Sequence, residues 1–238
     1  MTEIIKDSLV LGYVTGNSID RVFMPTVFGF MNYDANNRRC LLGLGEEPGY
    51  WVDDNRNALT RRLLQTPAEY FLSLDTDISM EPTAPYIMMD AMKERNIPIL
   101  SAWYVSIFEG QVKPCWYMEN PKGGVDSIST FQVGEVKPID ACGMGCWMAH
   151  RSVFEKFLEV PEYAADSWTW FGRDATTVNG QPAHTSEDIS FCLRAKKLGF
   201  QIYGHAGVEA RHYKRMELGM EEFAILHKAN YKGVRGDQ

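Results

Sequence analysis

Over the first hundred residues, short apolar runs alternate with segments that carry helix signals, and few folds accept that order. Ser8 to Thr15 reads as a buried strand closed by Gly16-Asn17, and Arg39 to Leu44 as a second one ending in Gly43-Leu44-Gly45 and Pro48-Gly49. Asp53 or Asp54 caps a helix running to about Gln65, with Arg61 and Arg62 in its last turn, where the helix dipole favours cations. Tyr70 to Leu74 is an apolar strand, Pro82 starts a helix through about Arg95, and Ile97 to Val105 forms another strand. This βαβα order predicts an α/β fold with a mostly parallel, doubly wound sheet, flanking helices, and ligands at the carboxyl ends of the strands.

From Gly110 the texture changes to short strands and Gly/Pro turns as far as Ala149. A helix follows over Arg151 to Leu158, then an aromatic loop with Trp168, Trp170 and Phe171, and a helix from about Ser186 to Leu198. A strand over Phe200 to Tyr203 leads to Arg211-His212-Tyr213, and a last helix is predicted near Met220 to Tyr231. No linker-like stretch divides the chain, so a single domain is expected.

With 238 residues, 45% hydrophobic and 23% charged, the chain can bury a sizeable core without disulfides or a structural metal. Its longest mostly apolar stretch, Ile97 to Phe108, is short of the roughly 20 residues a bilayer span needs. The first residues are partly acidic and lack the basic start of a signal peptide, so a cytoplasmic protein is expected. Five cysteines without CxxC spacing read as reduced, buried thiols. A net charge of −7 argues against a protein that coats nucleic acid.

The chemistry concentrates in three places. Asp75-Thr76-Asp77 directly follows the apolar strand, where the two-residue period sends both carboxylates off the same face. Paired carboxylates at a strand end suit a hard divalent cation that also holds substrate phosphates. Glu187 and Asp188 open a helix, and Thr185-x-x-Asp188 also fits a capping box. Gly143 and Gly145 flank Met144 in a strand-like context, which marks a bulge or a close approach of backbone to something else.

These segments resemble those of GT-A glycosyltransferases, in particular the compact family-two-like enzymes of bacteria and tailed phages. "DNRNALTRRLLQTPAEYFLSLDTDI" is similar to their Arg-Asn helix and DxD strand, and "DACGMGCWMAHRSVFEKF" to their acceptor-side Gly-x-Gly strand and short helix. "HTSEDISFCLRAKKLGFQIYGHAGVEARHY" is similar to their Glu-Asp-led helix, Gly turn, strand and terminal His. The resemblance implies a GT-A, Rossmann-like fold with a nucleotide-sugar and metal lobe over residues 1–105 and an acceptor-side lobe over 106–238.

It also implies roles. Asp75, Asp77 and His212 become metal ligands, and an imidazole in that set favours Mn²⁺ over Mg²⁺. Thr15, Gly16, Arg56, Asn57, Asp75, Thr76, Gly143 and Gly145 fall on the donor side, with Arg56 and Asn57 toward the diphosphate. Asp188 becomes the general base, with Glu187 beside it to hydrogen-bond acceptor hydroxyls. Trp168, Trp170 and Phe171 either stack on a sugar or base face of the acceptor or pack into the core. The family's Asp-rich turn after the second strand, which holds the nucleotide base, reads Gly43-Leu44-Gly45-Glu46-Glu47 here. Base contacts are therefore left open.

The expected activity is transfer of a hexose or pentose from a nucleotide sugar, a UDP-sugar first among them, to an acceptor hydroxyl with inversion. Nucleotidyl transfer is the competing enzymatic class, but Tyr13-Val14-Thr15-Gly16-Asn17 lacks the Lys or Arg its phosphate loop needs. A non-catalytic sugar-nucleotide or glycan-binding module is the third reading. A modified base of phage DNA is one candidate acceptor, served by a basic patch of Lys196, Lys197, Arg211, Lys214 and Arg215. A glycan, a lipid-linked sugar or a protein hydroxyl are the others, and the oligomeric state is open.

Overall fold

Along the strand Ile5–Thr15 (β1), Leu9 and Leu11 enter one buried cluster and Val10 the other. Leu72 and Phe71, and Leu100 and Ile99, divide between the same two clusters. A period of two with both faces apolar describes a sheet covered by helices on both sides. The computed structural model, which describes residues 3–16, 18–108 and 110–214, has that arrangement.

After β1 come α1 (Phe23–Asn37), β2 (Leu41–Pro48), α2 (Val52–Gln65), β3 (Ala68–Leu74), β4 (Ile78–Met80), α3 (Ala84–Arg95) and β5 (Ile99–Trp103). The short elements β6 (Val105–Phe108), β7 (Gln111–Pro114), β8 (Trp116–Glu119), β9 (Val125–Ser127), β10 (Val136–Ile139) and β11 (Ala141–Cys142) follow. The rest comprises β12 (Cys146–His150), α4 (Arg151–Leu158), α5 (Pro161–Ala164), β13 (Ala175–Val178), β14 (Gln181–His184), α6 (Glu187–Lys197) and β15 (Ile202–His212). The main sheet has the order β10-β15-β5-β12-β3-β1-β2, with β4 on the end of β15. Strands β2, β1, β3, β5 and β15 run the same way; β12 and β10 oppose them. The mostly parallel sheet expected from sequence is present.

Several local expectations shift. The second helix is capped at Trp51, so Asp53 and Asp54 sit in its first turn rather than at its cap. The third starts at Ala84, not Pro82, and stops at Asn96, whose left-handed backbone (φ 52°) turns the chain into β5. Helix α1 and strand β4 were not anticipated. The expected strand over Phe200 to Tyr203 is the first part of β15, which extends to His212. The helix anticipated near Met220 to Tyr231 lies outside the described residues, as do Asn17, Arg215 and His227.

The length of β15 positions the site. Its first residues pair in parallel with β5, Ile202 opposite Ile99. The register then shifts between His205 and Glu209, and Ala210 to His212 pair antiparallel with β4. At about 3.3 Å per residue, the strand runs on to the loop that follows β3.

Candidate active site

Asp75 and Asp77 leave the carboxyl end of β3 in a tight turn rather than in extended strand, with the Ile78 N–H donating to the Asp75 carbonyl at 3.1 Å. The Asp75 N–H donates to the Gly145 carbonyl at 2.8 Å, tying this turn to the start of β12. Because the two residues flank a turn, their carboxylates reach different partners.

Asp75 Oδ1 accepts from Arg56 Nη2 at 3.0 Å, and Glu187 Oε1 accepts from Arg56 Nη1 at 2.8 Å. The Arg56 side chain is only 6% exposed. One guanidinium from the second turn of α2 thus clamps the turn after β3 to the first turn of α6. Burial works against the Arg56 charge, but Asp75, Glu187 and Asp188 more than offset it and raise its pKa. Burial pushes the carboxyls of Asp75 and Glu187 up, opposed in each case by Arg56. Arg56, expected at the donor's diphosphate, has its fork occupied by carboxylates. Its Nε is buried with no partner.

Asp77 receives the other end of the chain. His212 Nε2 lies 3.0 Å from Asp77 Oδ2, across 135 positions of sequence, and Tyr213 N–H donates to the Asp77 carbonyl at 2.7 Å. Burial raises the Asp77 pKa, but hydrogen bonds from His212 and Lys214 outweigh it and hold the carboxyl below its ordinary range. His212 Nδ1 lies 3.0 Å from the Val105 carbonyl. A carbonyl only accepts, so Nδ1 carries the hydrogen and Nε2 is directed at the carboxylate. A carboxylate also offers only lone pairs, and Nε2 and Asp77 Oδ2 face one another as two ligands of a shared cation would. That donor set, two carboxylates and an imidazole of fixed orientation, fits a divalent metal chemically. Among the described residues, however, no three His, Cys, Asp or Glu groups are drawn together for one. Asp75 is turned toward Arg56, and the Lys214 ammonium sits 2.6 Å from Asp77 Oδ2.

Glu187 and Asp188 occupy the first turn of α6, whose N-terminus favours negative charge. Thr185 does not cap it. The cap position is Ser186, and Thr185 bonds instead to Ser190 and the Asp174 carbonyl. Asp188 is half-buried and accepts on Oδ1 from the Ser186 hydroxyl and, at 2.8 Å, from the Ile189 N–H.

Other expected site residues have structural duties. Asn57 is fully buried: its amide donates to the carbonyls of Asp53 and Phe171, and its Oδ1 accepts from the N–H groups of Trp170 and Phe171. It braces the 170–171 loop and is not turned to a diphosphate. Gly143 and Gly145 lie in a bend between β11 and β12, not within a strand. A Cβ on Gly145 would approach the Tyr104 hydroxyl oxygen to 3.0 Å, and Gly143 faces the same hydroxyl. The glycines therefore admit Tyr104, whose Oη accepts from the Gly145 N–H at 2.9 Å. Tyr104→Phe is expected to leave that buried N–H unpaired, at a cost of about 1–3 kcal/mol readable by urea unfolding; an unchanged midpoint would discount the contact. Trp170 and Phe171 are each 1% exposed in the core, Phe171 stacked on Phe191 at 4.7 Å, so they offer no face to an acceptor. Trp168 is exposed. Thr15 Oγ1 donates to Glu46 Oε1 at 2.9 Å, and the space around Gly16 is open. Thr76 is half-buried in the turn, its carbonyl accepting from Asp20 N–H.

The expected basic patch is neutralised in part, with Lys197 exposed and Arg215 outside the described residues. Lys196 pairs with Glu119 and Asp140, Lys214 with Asp77, and Arg211 lies 3.8 Å from Glu209. Sequence reasoning missed Arg56 as a clamp, Tyr104 and Lys214 on Asp77; a basic residue two positions from His212 was the available signal for the last.

No family model matches the chain, and no curated protein matches it in sequence. Solved structures share its fold. A197 from STIV superposes with a TM-score of 0.56 at 12% identity, over 87% of this chain and 86% of that one. GalNAc-T7, solved with UDP, GalNAc and Mn²⁺, gives a TM-score of 0.55 at 9% identity, over 88% of this chain and 44% of its own. The chain thus spans less than half of GalNAc-T7. These likenesses establish a GT-A-like, Rossmann-type α/β fold. Among the described residues, no helix is long and apolar enough to cross a membrane.

Proposed function

We propose that this chain is a metal-dependent glycosyltransferase that takes a nucleotide sugar, a UDP-sugar foremost, as donor. The observation that carries the reading is the meeting of His212 with Asp77 beside Asp75, at the carboxyl ends of the strands. Asp75, Asp77 and His212 would hold Mn²⁺ or Mg²⁺, which when bound would neutralise charge developing on the leaving diphosphate. Loading the site requires Lys214 to give up Asp77 Oδ2. The likeness to a protein solved with UDP and Mn²⁺ supports the same ligand classes.

Asp188 is the residue we assign as general base. Glu187 is committed to Arg56, while Asp188 is oriented by Ser186 and Ile189 with no cation bound to it among the described residues. Its carboxylate takes the proton from the acceptor hydroxyl as that oxygen attacks the anomeric carbon and the nucleoside diphosphate departs. In-line attack by that hydroxyl inverts the anomeric configuration. Thr15 and Gly16, at the end of β1, border the donor side.

The test is a donor-hydrolysis screen over several nucleotide sugars with Mn²⁺, repeated with hydroxymethylated DNA present. The expected result is turnover of one donor that stops in excess chelator and is lost, with metal and donor binding, in Asp77→Ala. Undiminished turnover in chelator contradicts the reading.

A further inference from the structure

We propose that Tyr50, Trp51 and Trp168 form a stacking platform for the sugar rings of a neutral oligosaccharide acceptor. Of the chain's six tryptophans, Trp116, Trp147 and Trp170 are buried and Trp103 is half-buried, while Trp51 and Trp168 are 65% and 45% exposed. Tyr50, next to Trp51, is 83% exposed. These rings are concentrated where α2 begins, at the end of the sheet that carries the candidate site.

The rings are held on fixed backbone. Gly49 N–H donates to the Thr15 carbonyl at 2.9 Å, and the Trp51 carbonyl accepts from Asn55 N–H at 3.0 Å. Gly49 has φ +152°, and a Cβ there would come within 2.6 Å of the Asn55 side chain, so this approach to α2 requires glycine. Trp168 Nε1 donates to Asp54 Oδ1 at 2.7 Å, and its carbonyl accepts from Arg194 at 2.7 Å. Asp54 lies three residues after Trp51, so this bond brings the Trp168 ring to the helix start that Trp51 precedes. Arg56, two residues after Asp54 on the same helix, pairs with Asp75 and Glu187, so the start of α2 carries both the aromatic rings and the clamp.

Exposed aromatic planes with a carboxylate at the edge match the chemistry of a pyranose. Its C–H face is apolar and lies flat on a ring, and its hydroxyls donate to an acceptor such as the exposed Asp54. A polyanion is disfavoured here. Of the nearby cations, Arg173 is paired with Asp53 and Arg61 is turned onto the Ser167 carbonyl and the Trp170 ring, while the chain carries a net charge of −7. The role of the bound sugar as acceptor rests on the glycosyltransferase reading; the binding itself does not.

The experiment is calorimetric titration of the full chain, without metal or donor, with maltohexaose, cellohexaose and chitohexaose, and in parallel with duplex DNA. One hexasaccharide is expected to bind saturably, with affinity reduced about 10- to 100-fold in Trp51→Ala and Trp168→Ala. Circular dichroism melts identify any variant that has lost its fold, and Tyr50→Ala, at a fully solvated ring, provides a third position. Failure of all three sugars to bind, unchanged affinity in folded variants, or preference for DNA overturns the proposal. Sugar binding without donor turnover would count against the glycosyltransferase reading and leave the platform standing.

Discussion

Arg56→Ala is expected to lower folding stability by about 3–5 kcal/mol, the usual cost of removing one partner from a buried ion pair. Two carboxylates, Asp75 and Glu187, share this guanidinium, whose side chain is 6% exposed. Without it both are left in surroundings that already push their pKa values upward. No described cation other than Arg56 pairs with either. Arg56→Lys keeps the charge but loses the planar fork, and should recover only part of the loss. Denaturant unfolding measures both variants. If the alanine variant unfolds at the wild-type midpoint, the clamp is dispensable and Arg56 returns to being a candidate diphosphate contact.

Asp188→Asn is expected to reduce sugar transfer by about 10²–10⁴-fold while keeping donor affinity and stability close to wild type. The asparagine retains an oxygen for the Ile189 N–H, which is the bond that orients the side chain at the start of α6. What it loses is the ability to accept a proton. Early melting with normal turnover per folded molecule would assign Asp188 to the helix terminus instead of to the reaction.

Local pattern carried much of this fold in the sequence, and long-range pairing carried what was hidden. The strand before Asp75, the helix Arg151–Leu158 and the acids opening α6 were readable because apolar period and end signals agree there. Helix α1 was harder: Thr26, Val27, Phe28, Gly29 and Phe30 are weak helix formers. It is held by burying Phe23, Val27, Phe30 and Asp34, a spacing that was present in the sequence. The short strand β4 exists because β15 pairs with it, so nothing local announces it.

The site divides the same way. Candidate residues could be picked out by type and motif, but what each one faces could not. Strand periodicity put the two DxD carboxylates on one face, whereas the turn after β3 sends Asp75 to Arg56 and Asp77 to His212. Only the resemblance places Asn57 toward the diphosphate; here loop 170–171 covers it and uses all its hydrogen-bonding atoms. In the aromatic loop, Trp168 faces solvent while Trp170 and Phe171 fill the core, a division that depends on how the loop packs on α2 and α6.

The central claim is that Asp77, after β3, and His212, 135 positions later, build one cation site. Mn²⁺ titration followed by electron paramagnetic resonance, with Mg²⁺ as competitor, addresses it in the wild type, His212→Ala and His205→Ala. His212 lies 3.0 Å from Asp77, while His205, seven residues earlier on β15, is placed opposite Ala102 of β5. Loss of the imidazole should weaken Mn²⁺ binding more than Mg²⁺ binding, since nitrogen ligation favours the softer ion, and His205→Ala should leave both unchanged. Equal losses at the two histidines, or unaltered Mn²⁺ affinity in His212→Ala, would contradict the account.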